Sequence, residues 1–367
     1  MTRTEERREK LKRLRAAMRR EGLDVVFLTT RANFAWLTAG GSNYVNTSLA
    51  EGATTLAVTA RRACVLASAI EAPRMMAEEL QAGEFSLVTF PWHSEAAGKQ
   101  AVMDLAAGRK AAADSDLYGL PRLPASFAEL RYSLTPSEIV RYQALGRDVS
   151  LVLETVGAEL SPGETEQQVE GLMAELALAQ GIRPFVRLVA ADRRIERFRH
   201  PIPTTARIRR RVMIVICGER DGLIIAATRL VNFEQLSAAL RRKHQAVCRV
   251  DAALIAATRP GAAVGDILAE GLAAYARQGF ADQWQLHHQG GPTGYLGREY
   301  LATPGERRRV QANQAFAWNP SVTGTKSEDT ILATAEGPVV LSAAVDWPTV
   351  EIEVAGRTIR RPDILLR

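Results

Sequence analysis

Two stretches of this chain are built alike. Ser161-Pro162-Gly163 precedes a helical stretch that ends at Gly181, and Arg259-Pro260-Gly261 precedes another that ends at Gly279. The two prolines stand 98 positions apart (260 − 162). Pro and Gly before a helix turn the chain, and Gly after it supplies the left-handed residue that ends a helix. Strand-like segments follow each helix. A repeat of this kind suggests two related α+β halves packed about a pseudo-two-fold axis. A site is then expected between the halves, a common place for a pocket. A single shared unit is also within reach of chance.

The first third of the chain has a different pattern. Residues 5–21 carry Leu11, Leu14, Ala17 and Met18 at helical spacing, and Gly22 stops that helix. Strand-like runs follow at Asp24–Leu28, Thr54–Val58, Cys64–Ala67 and Phe85–Phe90, with helical patterns near 72–81 and 97–107. Strands alternating with helices point to an α/β layer. Thr135-Pro136-Ser137-Glu138 has the form of a capping box with Pro at the first helical position, so a long helix is expected from Pro136 to about Leu160. A 367-residue chain favours two domains, here residues 1–132 and 133–367.

Composition excludes several classes. Hydrophobic residues make up 47% and charged residues 24%, as in a globular protein, and no run approaches the ~20 apolar residues of a membrane span. The charged N-terminus lacks a secretory signal, which points to the cytoplasm. The three cysteines, Cys64, Cys217 and Cys248, form neither a disulfide framework nor a C-x-x-C zinc motif. The net charge of +6 comes from arginines spread along the chain without interleaved aromatics, so a solvated basic surface is expected and no nucleic acid.

Gly22-Leu23-Asp24-Val25-Val26-Phe27-Leu28, Asn33-Phe34-Ala35-Trp36-Leu37-Thr38 and Glu71-Ala72-Pro73-Arg74 resemble the N-terminal domain of creatinases and prolidases. The second part resembles their pita-bread catalytic domain. The resemblance implies an α+β chain: a creatinase-like N-terminal α/β domain, then a duplicated α+β domain. Metallopeptidases of that family hold two ions with two Asp, one His and two Glu. The resemblance sets Cys217 (or Ile216), Ala226, Gly294, Asn319 and Glu328 at those positions. Two divalent cations need several anionic or imidazole ligands, so the expectation is no catalytic metal and no cofactor. Creatinase itself works without metal through a His before x-Pro-x-Thr-like residues. Here His200-Pro201-Ile202-Pro203-Thr204 matches that segment, and Ala226 agrees with creatinase as well.

Several residues follow as candidates. An imidazole can carry a proton near neutral pH, so His200 is the expected general base and acid, or else a loop histidine bonded to backbone. His287-His288-Gln289-Gly290-Gly291-Pro292-Thr293-Gly294-Tyr295 either binds a ligand through exposed amides or is a tight structural turn. Adjacent histidines on a strand point to opposite faces, so at most one is expected in the site, and His288 is taken as catalytic. Glu328 is a catalytic candidate, with a salt bridge to Lys326 or Arg229 as its alternative. Asn319, Tyr295, Arg298, Gln289 and Arg229 are candidates for holding substrate. Cys217 is either a thiol nucleophile or a small buried residue. In the resembling family one subunit's N-terminal domain reaches its partner's site, and the loop with Tyr44 and Asn46 is the candidate for that reach in a homodimer.

The resulting expectation is a metal-independent hydrolase of a C–N bond in a small polar molecule. Guanidino compounds, cyclic amidines and small amides are the implied substrate classes. Its rivals are a catalytically inactive pita-bread module that binds protein, and a metal-dependent Xaa-Pro aminopeptidase.

Overall fold

The computed structural model describes residues 1–80 and 83–367. The chain divides into two compact units, one of residues 1–131 with 135–138 and one of residues 132–134 with 139–367.

The first unit opens on α1 (Arg3–Glu21), capped reciprocally by Thr2 and Glu5 and ended by Gly22 in the left-handed region, φ 66°. Leu14, Ala17 and Met18 are buried as the spacing predicts. So are the charged Glu6, Arg7 and Lys10, which spacing alone assigns to solvent. They are buried because they are paired: the Lys10 ammonium lies 2.6 Å from Glu6 and 2.7 Å from Glu138. Behind α1 lies a five-stranded sheet in the order β4-β3-β2-β1-β5. Its strands are β1 (Val25–Thr30), β2 (Glu51–Thr59), β3 (Ala63–Ser68), β4 (Ser86–Phe90) and β5 (Ala111–Ala113). The helices α2 (Arg31–Thr38), α3 (Ala72–Arg74) and α4 (Glu95–Ala106) connect them. The helix predicted near 72–81 is one α-turn running into a π-helical turn at Met75–Glu79, and Gln81 lies outside the described residues.

The duplication is plain in the second unit. Helices α5 (Pro136–Glu159) and α6 (Glu166–Ala179) precede β6 (Arg183–Ala191), the short α7 (Arg194–Arg197), β7 (Arg211–Arg220) and β8 (Leu223–Asn232). Helices α8 (Ala238–Ala257) and α9 (Val264–Arg277) precede β9 (Gly290–Thr293), β10 (Gln314–Trp318), the short pair β11 (Ser321–Val322) and β12 (Thr325–Lys326), then β13 (Asp329–Thr334) and β14 (Gly337–Val340). The two Pro-Gly turns bond alike. Gly163 N–H donates to Ile208 C=O and Gly261 N–H to Val310 C=O, both at 2.8 Å. The Arg207 and Arg309 guanidinium groups donate back to the Gly163 and Gly261 carbonyls.

Two four-stranded sheets result, β14-β13-β10-β9 and β17-β8-β7-β6, where β17 is Leu365–Leu366. A hairpin of β15 (Thr349–Val354) and β16 (Arg357–Pro362) completes the unit. The sheets meet where β8 runs beside β13. Thr228 N–H donates to Glu328 C=O at 3.1 Å, and Ala226 N–H donates to Thr330 Oγ1 at 2.8 Å. Behind that seam Trp318 stacks on Phe316 within a core of Leu254, Ile255, Ile267 and Ile331. Among the described residues, no helix is long and apolar enough to cross a membrane.

Candidate active site

Period-two alternation explains what this seam presents. In the run Lys326-Ser327-Glu328-Asp329-Thr330, Lys326, Glu328 and Thr330 share one face, while Ser327 and Asp329 take the other. On β8, Thr228 faces Glu328 and donates to its Oε2 at 2.6 Å. The Lys326 ammonium lies 2.7 Å from the same oxygen, and Arg298 Nη2 donates to Oε1 at 3.3 Å. Burial alone would raise the Glu328 pKa, but Lys326 and then Arg298 outweigh it and hold the carboxyl at about 2. Two cations against one carboxylate leave this face with a net charge of +1.

Next to this bracket lie three imidazoles. His200, in the segment after α7, and His287, after a 3₁₀ turn at Gln283–Leu286, face each other with their Nε2 atoms 3.1 Å apart. The His288 ring centroid lies 4.7 Å from that of His287 and 5.7 Å from that of His200. The sequence expectation that only one of the adjacent histidines joins the site is corrected here. Both precede β9 and lie outside its ladder, so pleat alternation does not separate their rings. Burial, and then Lys326, keeps His287 at about 2, while burial and then Arg298 keeps His288 at about 4. His200 is lowered by the same kind of causes, burial first and Lys326 next. All three rings are therefore neutral at physiological pH, with nitrogen lone pairs available. His200 is the exposed member and His287 the buried one.

The other candidates fall into two groups. Asn319 is buried beside the histidine segment, its N–H donating to Gln289 C=O at 3.1 Å and its Oδ1 without a hydrogen-bond partner. Arg298 belongs to the site through Glu328, and Tyr295 is buried a few residues before it. Gln289 and Arg229 are corrected. Gln289 accepts from Tyr275 O–H at 2.9 Å and donates to His287 C=O at 2.6 Å, so it shapes the backbone that carries His287. Arg229 alternates with Thr228 and therefore points away from Glu328. It is fully buried and donates to Asp329 Oδ1 at 3.1 Å and Ser342 C=O at 2.9 Å. Burial and then Glu328 push the thiol of the half-buried Cys217 up to about 12, which disfavours a thiolate nucleophile there. Tyr44 and Asn46 lie in the first unit, where Arg31 covers the Tyr44 ring and Asn46 Oδ1 accepts from Ser48 N–H at 3.0 Å.

Glycine sets the close approach. Gly290, at φ 96°, has its Cβ position 2.1 Å from Ala317 C=O, where no side chain fits. Sequence reasoning missed Thr228 as a site group and named Lys326 only as the alternative salt-bridge partner of Glu328, a pair that the structure forms at 2.7 Å. The signal was the two-residue spacing between Lys326 and Glu328 once that run is read as extended.

The model of metallopeptidase family M24 matches residues 141–335, more than half of the chain, and that of the creatinase/prolidase N-terminal domain matches residues 10–145. This chain belongs to metallopeptidase family M24. The M24 fold is also seen in solved structures. Dipeptidase PepE from Mycobacterium ulcerans is 20% identical with a TM-score of 0.79, covering 99% of this chain and 98% of its own. The Xaa-Pro dipeptidase from Bacillus anthracis is 17% identical with a TM-score of 0.77, covering 98% and 100%. The N-terminal domain of a FACT complex subunit from chickpea is 11% identical with a TM-score of 0.69, covering 92% and 96%. At these identities the likeness is one of fold. No curated protein matches the sequence. The fold expected from the sequence, a creatinase-like domain followed by a pita-bread domain, is the M24 architecture, and M24 is a family of hydrolases.

Proposed function

We propose that this M24 hydrolase cleaves a C–N bond in a small polar substrate that carries an anionic group, at the site of His200, His287, His288 and the Lys326–Glu328–Arg298 bracket. The observation that carries this reading is three imidazoles converging beside the Lys326–Glu328–Arg298 bracket, in which two cations meet one carboxylate. The positive face favours a carboxylate or similar anion on the substrate. His200, the exposed ring, accepts a proton from water as the water oxygen bonds to the amide or amidine carbon. The same imidazole then returns the proton to the departing nitrogen as the C–N bond breaks. His287 supports His200 through their 3.1 Å contact. Asn319, with an unpartnered buried oxygen, is a second candidate for meeting substrate.

The family name implies metal ions, and the side chains here do not fit a carboxylate-built pair. At the five positions that the resemblance read from the sequence implies stand Cys217 (or Ile216), Ala226, Gly294, Asn319 and Glu328. Their one carboxylate already holds two cationic side chains. A lysine ammonium 2.7 Å from Glu328 takes the place a cation would fill. The reaction above therefore runs through no such pair.

The test is turnover of guanidino acids, cyclic amidines, small N-acyl acids and Xaa-Pro dipeptides by chelator-treated protein. One class is expected to turn over, and His200→Gln should lower kcat by about 100-fold or more. Turnover of Xaa-Pro dipeptides that needs added metal would overturn the reading. Absence of both turnover and a thermal shift with every class would move the chain to a protein-binding role.

A further inference from the structure

Among the described residues, His200, His287 and His288 each offer one ring nitrogen, and these three atoms lie within 4.8 Å of one another. A ring nitrogen that is not donating needs a proton or a metal to meet its lone pair. The His288 Nδ1 atom is buried and has no hydrogen-bond partner. His200 and His287 turn the same nitrogen, Nε2, toward each other at 3.1 Å. Two nitrogens bound to one tetrahedral zinc at 2.0–2.1 Å stand about 3.3 Å apart. That pair is therefore already at ligand spacing, and the third needs to close by roughly 1.5 Å at most.

We propose that His200, His287 and His288 form a mononuclear site for a divalent cation of the zinc and cobalt class. The donor set decides the class. Three nitrogens and no oxygen suit borderline transition metals and are a poor match for calcium or magnesium. Support around the ligands is built in. Ser321 Oγ lies 3.5 Å from His287 Nδ1, and Gln289 Nε2 donates to the His287 carbonyl at 2.6 Å. Such partners orient a ligating ring. The Lys326 and Arg298 cations, which share the Glu328 carboxylate, oppose the ion and set its affinity below that of a neutral three-histidine site. This site shares its residues with the hydrolase reading but not its chemistry. An ion there occupies the His200 lone pair, so if that reading holds, the ion suppresses turnover rather than supporting it.

The experiment is calorimetric titration of chelator-treated full-length protein with zinc chloride, together with visible absorption spectra after cobalt chloride is added. One zinc per chain is expected, with a Kd of about 1 μM. Cobalt should give the visible bands of a four-coordinate nitrogen-rich site. His288→Ala and His287→Gln should each weaken zinc about tenfold or more, whereas Lys326→Met should tighten it and the exposed His93→Ala should change nothing. Melting curves of each variant separate unfolding from lost ligation, and Lys326→Met reads the site without removing a ligand. Absent stoichiometric zinc binding, or binding unmoved by all three site substitutions, would overturn the proposal. Metal-free turnover measured alongside keeps the two readings apart: either can fail while the other stands.

Discussion

Replacing Arg361 by Met removes one member of a charge-balanced quartet in the core of the second unit. Arg361 Nη2 lies 2.8 Å from Asp251 and 2.6 Å from Asp329, and Arg229 Nη1 lies 3.1 Å from Asp329. All four side chains are at most 1% exposed. With the guanidinium gone, two positive and two negative charges become one against two. Asp251 keeps only the Ser327 hydroxyl, at 2.6 Å. Breaking a buried ion pair from one side costs about 3–5 kcal/mol because the remaining charge is stranded. For a unit of this size that corresponds to a fall in melting temperature of roughly 6–20 °C. The cost depends on pH in a defined direction. Burial, only partly offset by Arg361, already raises the Asp251 pKa to about 6. Without Arg361 it rises further, so the folded variant must hold a proton that the unfolded chain releases. The gap in stability between variant and parent therefore widens as pH rises above about 6. Differential scanning calorimetry across that range measures it. Asp251→Asn added to Arg361→Met removes one charge of each sign and should recover part of the loss. A single-variant cost below about 1 kcal/mol, or a double variant that is worse by a simple sum, would refute the claim that these four groups act as one network.

Acid should release the Glu328 bracket. The carboxyl is held at about 2 against an ordinary 4.5, so its contribution is complete above pH 4.5 and is lost as pH falls from there toward 2. Roughly 3 kcal/mol is at stake, and Glu328→Gln should flatten that part of the stability curve measured by urea denaturation. Gly290→Ala should destabilise the second unit by about 2 kcal/mol or more, because the added Cβ would sit 2.1 Å from the Ala317 carbonyl on backbone that cannot yield. An unchanged melting temperature in that variant would show that β9 and β10 can separate.

Much of the fold was legible because its signals are local. The Thr135–Glu138 capping box forms as read, with Thr135 N–H donating to Glu138 at 2.7 Å and Glu138 N–H to Thr135 Oγ1 at 3.3 Å. The Pro-Gly turns 98 positions apart make matching hydrogen bonds. Caps, turns and strand alternation depend on residues within a few positions of one another, so composition and spacing suffice to find them. The site was only partly legible. His200 and Glu328 were visible as unusual residues, but the sequence put one of the adjacent histidines outside the site and Arg229 inside it. The tertiary structure decided otherwise, bringing His200 to His287 across 87 positions and Thr228 to Glu328 across 100. Contacts of that range are set by the seam of two sheets. Once β8 lies beside β13, a period of two sends Thr228 to Glu328 and Arg229 to the buried aspartates, a choice of face that no residue carries by itself.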